Sequence, residues 1–265
     1  MKAEREPGGV RVVAGLFYDR SRFGLAWAEF LWSLKQNAAF WKQALLYVDP
    51  LCARRVAPYR AAFGEVVVDH DMPDVVLAHR RWNCKGWWAK RAVDRFGRVL
   101  FCDFDIFVRK RPDAFLCGQL TRAPRFLDIE GYRKAKKAVG CGCVYYDETC
   151  DWDLFLDKLY NVWRCDERAW TDALAMDREK FLAGGYGLDP WIVDWTWLVK
   201  RPELRDKPYI IHGISAAADG RRVLRGVGYS EEELDFRNTP VQEAIYRMGN
   251  LKRRLLGGRA NGGAK

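Results

Sequence analysis

Apolar, β-branched runs of strand length alternate with longer amphipathic runs over the first 108 residues. The strand-like runs cover residues 11–18, 44–48, 65–69 and 98–108. The helix-like runs, in which apolar residues recur at helical spacing, cover 22–37, 51–63 and 84–96. Regular alternation of strands and helices is typical of the α/β class, so the pattern predicts a mostly parallel central sheet with helices on both faces.

The second half of the chain follows a less regular pattern. Strands are predicted at 139–146 and 209–214, helices at 152–163 and 170–181, and a Gly-rich turn at 184–187. Because no repeat or Pro/Ser-rich linker divides the chain, the sequence predicts one domain over residues 1–250, followed by a basic, Gly-rich tail at 251–265.

Composition is compatible with such a domain and excludes some classes of protein. A chain with 49% hydrophobic and 14% aromatic residues can bury a full core, which excludes a disordered body. The N-terminus lacks the apolar stretch of a secretion signal and no later run is long enough to cross a bilayer, so a cytoplasmic protein is expected. The eight cysteines, none in a Cys-x-x-Cys spacing, are expected to be reduced thiols.

The positive charge is concentrated at the C-terminus. The formal net charge is +10, and six basic residues with no acid follow position 244. This distribution predicts either a peripheral contact of the tail with an anionic membrane surface or polyanion, or simply a solvated end.

Three Asp-x-Asp triplets occur in the chain, and their surroundings differ. Asp151 and Asp153 open an amphipathic run and are interpreted as an N-cap and a first-turn acid. Asp69 and Asp71 stand where a strand gives way to a loop that is expected to be solvated. The third triplet, Asp103-Phe104-Asp105, has apolar residues on both sides.

Paired carboxylates inside an apolar run need a compensating partner. In a strand, positions i and i+2 share a face, so Asp103 and Asp105 are predicted to converge on one point. Unpaired burial would be costly, and a hard divalent cation that also holds phosphate oxygens would offset that cost. We therefore predict a cation and phosphate site near the carboxyl end of this strand, where ligands of parallel sheets bind.

Four blocks of the chain resemble the GT-A fold glycosyltransferases, in particular the glycogenin and galactosyltransferase-like group. The blocks are residues 12–18, residues 85–108 with Asp103-Phe104-Asp105, the glycine strand 139–144, and Ile210-Ile211-His212-Gly213. The resemblance implies a single GT-A-like domain whose Rossmann-like nucleotide half comes first. It also implies transfer of a sugar from a nucleoside diphosphate, with a UDP-sugar as expected donor, to a hydroxyl of a glycan, lipid or protein acceptor.

The resemblance also implies roles for single residues. Asp103, Asp105 and His212 would bind Mn²⁺ or Mg²⁺, a donor set that suits these ions. The nucleotide sugar would contact Tyr18, Lys85, Asp103 and Gly142. Asp172 would be the catalytic carboxylate, which touches the donor sugar or, in inverting members, deprotonates the acceptor hydroxyl, with Asp147, Asp189 and Asp194 as rival bases.

Each of these residues also has a structural interpretation. His212 and Tyr18 could belong to the core, Lys85 could be a solvated helix charge, and Thr171-Asp172 could cap a helix. Trp191, Trp195 and Trp197 could line a sugar cleft or pack in the core. The chain departs from the family in having Gly140-Cys141-Gly142 where relatives often have Asn-Ala-Gly, and in lacking a Lys-Pro-Trp ending after His212.

Two other functions compete with glycosyl transfer. A haloacid-dehalogenase-type phosphatase would use Asp103 as nucleophile, but Phe107 stands where that family has Thr or Val, and several strands precede the motif. A nucleic-acid-binding module would suit the pI of about 9.2, but the charge lies in the tail and the body has no recognition motif, so no nucleic-acid partner is expected. Retention or inversion of the anomeric configuration is left open.

Overall fold

The computed structural model describes residues 9–18, 23–110, 123–127, 139–163, 165–188 and 190–213, together with Arg225 and Gly228. Six strands form the central sheet in the order β3-β2-β1-β4-β7-β6. They are β1 Arg11–Leu16, β2 Leu45–Val48, β3 Glu65–Val68, β4 Arg98–Cys102, β6 Arg125–Leu127 and β7 Gly140–Asp147. The first four are mutually parallel, while β7 runs antiparallel to β4 and β6 antiparallel to β7. The predicted α/β class with a mostly parallel sheet is confirmed.

Three short strands form a second sheet beside the first. They are β5 Ile106–Val108, β8 Ile192–Asp194 and β9 Ile210–His212, in the order β5-β9-β8. Strand β9 pairs antiparallel with β5 and parallel with β8. Val193, Trp197, Leu198 and Ile211 form a small apolar cluster at this sheet, whereas Ile106, Ile192 and Ile210 of the same sheet belong to the main core.

Nine α-helices lie in the described part of the chain. They are α1 Phe23–Gln36, α2 Ala38–Trp41, α3 Ala53–Val56, α4 Asp74–Ala78, α5 Arg80–Phe96, α6 Trp152–Asp157, α7 Asp166–Ala173, α8 Arg178–Ala183 and α9 Trp195–Lys200. Helix α5 matters most for the site, and it ends at Gly97, whose φ of +80° favours glycine. Its Trp88 packs so closely on β1 that a Cβ at Gly15 would lie 2.5 Å from the indole ring.

Several predicted elements are interrupted in the structure. The helix predicted at 51–63 is a series of 3₁₀ turns around the short α3, where Pro58 cannot donate a helical hydrogen bond. The one predicted at 152–163 continues from α6 as a π-helix, Lys158–Trp163. The one predicted at 170–181 is two helices, because Ala175 has a φ of +45° and Asp177 caps α8 by accepting from the Lys180 amide.

The most consequential correction concerns residues 98–108. They form two strands in two sheets, β4 and β5, with Asp103, Phe104 and Asp105 as the link between them. The expectation that the two acids share the face of one strand was therefore wrong. Phe104 is buried and packs edge-on to Phe30, so an apolar anchor holds the middle of the link.

Residues of the other two Asp-x-Asp triplets have structural roles. Asp151 caps α6 as predicted, by accepting from the Leu154 amide at 3.1 Å. Asp69 is only 2% exposed rather than solvated. Its carboxylate accepts from the indole N–H groups of Trp87 and Trp88 and pairs with Arg91 at 2.5 Å. Asp69 thus fastens α5 to the end of β3.

Two remaining features concern thiols and membranes. None of the seven cysteines in the described ranges forms a disulfide, and six of them are buried. Within those same ranges, no helix combines the length and apolarity needed to span a bilayer. The tail at 251–265 lies outside the described residues.

Candidate functional site

Main-chain hydrogen bonds from both sheets fix the link between β4 and β5. The Asp103 amide donates to the carbonyl of Gly142 on β7 at 2.7 Å, which ties Asp103 to the central sheet. The Gly213 amide, just after β9, donates to the carbonyl of Asp105 at 2.8 Å. Because β4 and β1 are parallel, the link lies at the sheet edge where carboxyl ends meet.

His212 joins the two acids from the end of β9. In the small sheet, β9 places His212 opposite Ile106 on one side and Asp194 on the other. The imidazole Nε2 lies 3.2 Å from Oδ1 of Asp105. Each of the residues Asp103, Asp105 and His212 offers one ligand atom, and these three atoms lie within 4.8 Å of one another. All three side chains are half-buried. Two carboxylates and an imidazole within this span fit a divalent cation such as Mn²⁺.

Gly142 makes room for the imidazole. A Cβ on residue 142 would overlap the ring of His212, so no larger residue fits without displacing it. The family resemblance implies a contact of Gly142 with the nucleotide sugar, and that contact stays a prediction. The contact visible in the structure is with His212.

Lys85 forms an ion pair with Asp103. The side chain lies on the buried face of α5 and is only 6% exposed. Its Nζ lies 2.8 Å from Oδ1 of Asp103 and 3.4 Å from Oδ2 of Asp166, and it donates to the carbonyl of Cys141. The ammonium uses N–H donors on Asp103 and on the Cys141 carbonyl, while Asp166 lies at ion-pair distance and its Oδ2 accepts no hydrogen bond from the described residues. Lys85 is therefore a buried counter-ion rather than a solvated helix charge.

Asp166 is a residue of the site that the sequence analysis missed. It opens α7 and is 1% exposed, and Lys85 is its cationic partner. In the sequence it has the signature of an ordinary first-turn acid after Cys165, and nothing local distinguishes it from such residues. Its pairing with a lysine 81 residues earlier depends on the tertiary fold.

The charges of the site perturb one another strongly. Burial lowers the pKa of Lys85, but Asp103 and Asp166 outweigh burial and hold it well above its usual value. Burial likewise lowers the pKa of His212, while Asp105 and Asp194 raise it well above its usual value. Burial raises the pKa of Asp166, against the opposing effect of Lys85. Strong perturbation of several clustered groups is typical of functional sites.

The candidates for the catalytic carboxylate lie in different places. Asp172 is exposed on α7, where it accepts from the indole of Trp163 at 2.9 Å and pairs with Lys158 at 3.2 Å. None of its contacts among the described residues reaches the Asp103, Asp105 and His212 cluster, so its catalytic role stays a prediction. Asp147 lies opposite Arg98 in the register of β7 and β4, at the other end of β4 from Asp103. Asp194 lies behind His212, and Asp189 is outside the described residues.

The packing of the aromatic candidates distinguishes core positions from positions near the site. Tyr18 follows β1 and is half-buried, with its amide donating to Oδ2 of Asp49 at 3.2 Å. Trp197 is buried in the small apolar cluster, and Trp191 packs edge-on to Tyr209. Trp195 is half-buried next to Gly213, which brings it nearest to the His212 segment of the three.

Three solved structures resemble the fold at low sequence identity. One is a glycosyltransferase involved in the glycosylation of the major capsid of PBCV-1, with 10% identity over 83% of this chain and 99% of that chain and a TM-score of 0.40. Another is the glycosyltransferase GlyE of Streptococcus pneumoniae TIGR4, with 10% identity over 91% and 64% and a TM-score of 0.47. A third is an active-site mutant of LgtC, with 15% identity over 84% and 98% and a TM-score of 0.42.

The first two are described as glycosyltransferases, the class that the sequence motifs resemble. No protein-family model matches the chain, and no curated protein matches it. The likeness concerns the course of the backbone and assigns no role to any residue of this protein.

Proposed function

We propose that this protein is a metal-dependent glycosyltransferase that moves a sugar from a nucleoside diphosphate, with UDP as the expected carrier, to a hydroxyl group. The acceptor would be a glycan, a lipid or a protein. The observation that supports the proposal most directly is the cluster of Asp103, Asp105 and His212 at the carboxyl edge of a parallel sheet. Parallel sheets bind nucleotides at this edge, and the three side chains supply the donors that Mn²⁺ or Mg²⁺ takes.

Charge balance explains why a divalent cation is needed. Lys85 and His212 each lie beside one acid of the cluster, so the two carboxylates already have counter-charges. A diphosphate would bring two or more further negative charges to the same edge. When bound, the ion would supply the positive charge that stabilises the departing nucleoside diphosphate. Asp103, Asp105 and His212 would hold that ion, and Lys85 would keep Asp103 in place.

The donor roles of other residues remain proposals. Tyr18 follows β1 at the same sheet edge as Asp103, a position that suits contact with a nucleobase. Contact of Lys85 with a phosphate would have to compete with its present contacts to Asp103, Asp166 and Cys141. Asp172 remains the candidate for the catalytic carboxylate, with Asp189 as a rival base.

UDP binding is expected to require a divalent metal, because the diphosphate and the two carboxylates of the cluster would otherwise repel one another. Calorimetric titration of UDP into the protein with Mn²⁺, and then with EDTA, measures this. Binding that vanishes with EDTA supports the proposal. An affinity for UDP that chelation leaves unchanged would remove the metal role from Asp103 and Asp105.

Gly142→Ala is expected to weaken Mn²⁺ binding in the presence of UDP by at least about tenfold, because the new methyl group displaces His212 from the cluster. Mn²⁺ titration calorimetry measures the effect. Gly97→Ala is the matched control, since a Cβ there meets open space and the cost is backbone strain alone. It should lower the melting temperature but keep the Mn²⁺ affinity. Equal Mn²⁺ affinity in both variants would contradict the assigned role of Gly142.

The phosphatase alternative makes a different chemical prediction. It requires a covalent phosphoryl group on Asp103, which mass spectrometry of protein incubated with a phosphate ester would detect as an added mass. The peripheral membrane contact remains a separate proposal about residues 251–265, and truncation of those residues with vesicle binding assays would test it.

A further inference from the structure

Asp194 lies behind the imidazole of His212 with both carboxylate oxygens engaged. Its Oδ2 is 3.0 Å from Nδ1 of His212. Its Oδ1 accepts from the amide of Thr196 at 3.0 Å and from the Thr196 hydroxyl at 2.7 Å. The side chain is 1% exposed, so water does not compete for these contacts.

A carboxylate engaged in this way determines which nitrogen of His212 carries a proton. An ionised carboxylate only accepts hydrogen bonds, so the proton between the two groups stays on Nδ1. A cation that displaces the proton from the other nitrogen, Nε2, then meets a lone pair at that atom. Nε2 is also the atom that faces Asp105 and belongs to the cluster.

We propose that Asp194 is a positioning residue that holds the proton of His212 on Nδ1 and aims Nε2 at the divalent cation. The inference rests on the proposed metal-dependent function and adds to it the device that prepares the imidazole ligand. Partners of this kind behind a metal-binding histidine raise metal affinity by about 10–100-fold.

Two further contacts make the ring orientation rigid. Oδ1 of Asp194 caps α9, so the carboxylate cannot turn away from His212 without losing the start of that helix. On the other side of the ring, Gly142 leaves only the space that the imidazole fills. His212 is thus held between an acceptor and a glycine.

Asp194→Asn and Asp194→Ser separate positioning from capping. The amide of Asn has one acceptor oxygen, whereas Asp194 accepts from Thr196 with one oxygen and from Nδ1 of His212 with the other. The Asn variant therefore either presents its N–H groups to Nδ1 or gives up the cap of α9. The hydroxyl of Ser is a good N-cap but is too short to reach His212. If the Asn variant fails to fold, the Ser variant keeps the helix cap and removes only the contact with the imidazole.

Thr196→Val is the matched control. It removes the hydroxyl that donates to Oδ1 of Asp194 and leaves the contact between Oδ2 and His212 in place. Thr196→Val also keeps the Thr196 amide that donates to Oδ1, so α9 stays capped. A role of Asp194 confined to capping α9 would leave Asp194→Ser, which keeps a cap, with the Mn²⁺ affinity of the wild type. A role in positioning His212 would weaken Mn²⁺ binding in both Asp194 variants and leave Thr196→Val like the wild type.

The experiment measures Mn²⁺ binding in the presence of UDP by electron paramagnetic resonance of the whole chain. Counting free Mn²⁺ gives the affinity, and electron spin echo modulation from ¹⁴N reports a coordinated imidazole, with His212→Gln as the reference lacking it. We expect Asp194→Asn and Asp194→Ser to bind Mn²⁺ about 10–100-fold more weakly and to lose the ¹⁴N modulation. Thr196→Val should match the wild type in both readouts.

The outcomes distinguish the inference from the function on which it rests. Wild-type affinity and intact ¹⁴N modulation in the Asp194 variants would overturn the inference and leave the metal-dependent function standing. Equal loss in Thr196→Val would overturn it as well, because the effect would then come from α9. Failure of the wild-type protein to bind Mn²⁺ with UDP would instead overturn the proposed function itself.

Discussion

Asp105→Ala is expected to abolish UDP binding that depends on Mn²⁺, and with it sugar transfer, while leaving the free energy of unfolding about unchanged. The variant loses a ligand of the cluster. Two opposing effects limit the change in stability. Loss of the contact with Nε2 of His212 is unfavourable, whereas relief of the repulsion between neighbouring carboxylates is favourable.

A matched change at another Asp-x-Asp triplet makes the expectation specific. Asp151→Ala removes the cap of α6 and should cost about 0.5–2 kcal/mol of stability while activity is retained. Urea denaturation gives the stabilities, and a transfer assay with a nucleotide-sugar donor gives the activities. If Asp105→Ala retains full activity, the Asp103-Phe104-Asp105 link is not the centre of the reaction.

Lys85→Met is expected to destabilise the fold by about 3–5 kcal/mol, because it leaves the buried carboxylate of Asp166 without its cationic partner. Burial already raises the pKa of Asp166, so the uncompensated group takes up a proton readily. A buried carboxyl group with a raised pKa destabilises the fold increasingly as the pH rises through its unfolded-state value. The cost of Lys85→Met should therefore be smaller at acidic pH.

The double variant Lys85→Met/Asp166→Asn tests this explanation. Replacing the carboxylate by a neutral amide removes the buried charge, so the double variant should be more stable than Lys85→Met alone. Urea denaturation at neutral and acidic pH measures the four members of the cycle. Additive effects of the two substitutions would mean that Lys85 and Asp166 do not depend on each other.

The sequence was sufficient for those features that local patterns encode. Alternating strand and helix periods predict the α/β class, and an apolar run interrupted by Asp103 and Asp105 identifies the centre of the candidate site. The apolar run that ends at His212 also indicates a buried strand end. These signals depend on neighbours a few residues away, so a single sequence carries them.

The remaining features depend on contacts between distant parts of the chain. Asp166 and Asp194 have the local signature of helix-start acids, and both do begin helices. What sets them apart is the partner that each one meets, Lys85 for Asp166 and His212 for Asp194. The break at Asp103 also arises at long range, because the segment 106–108 pairs with β9 rather than extending β4.

The proposed metal ligands come from two sheets, so the integrity of the site depends on the smaller sheet. Asp103 is fastened to the large central sheet through Gly142, whereas His212 and Asp194 belong to a sheet of three-residue strands with its own small apolar cluster. Small cooperative units open with less free energy than the global fold. Ile106, Ile192 and Ile210 join this sheet to the main core, but a local opening of the face on which Val193 and Ile211 pack would displace His212 and Asp194 from Asp103. Heat or denaturant should therefore inactivate the protein before it unfolds.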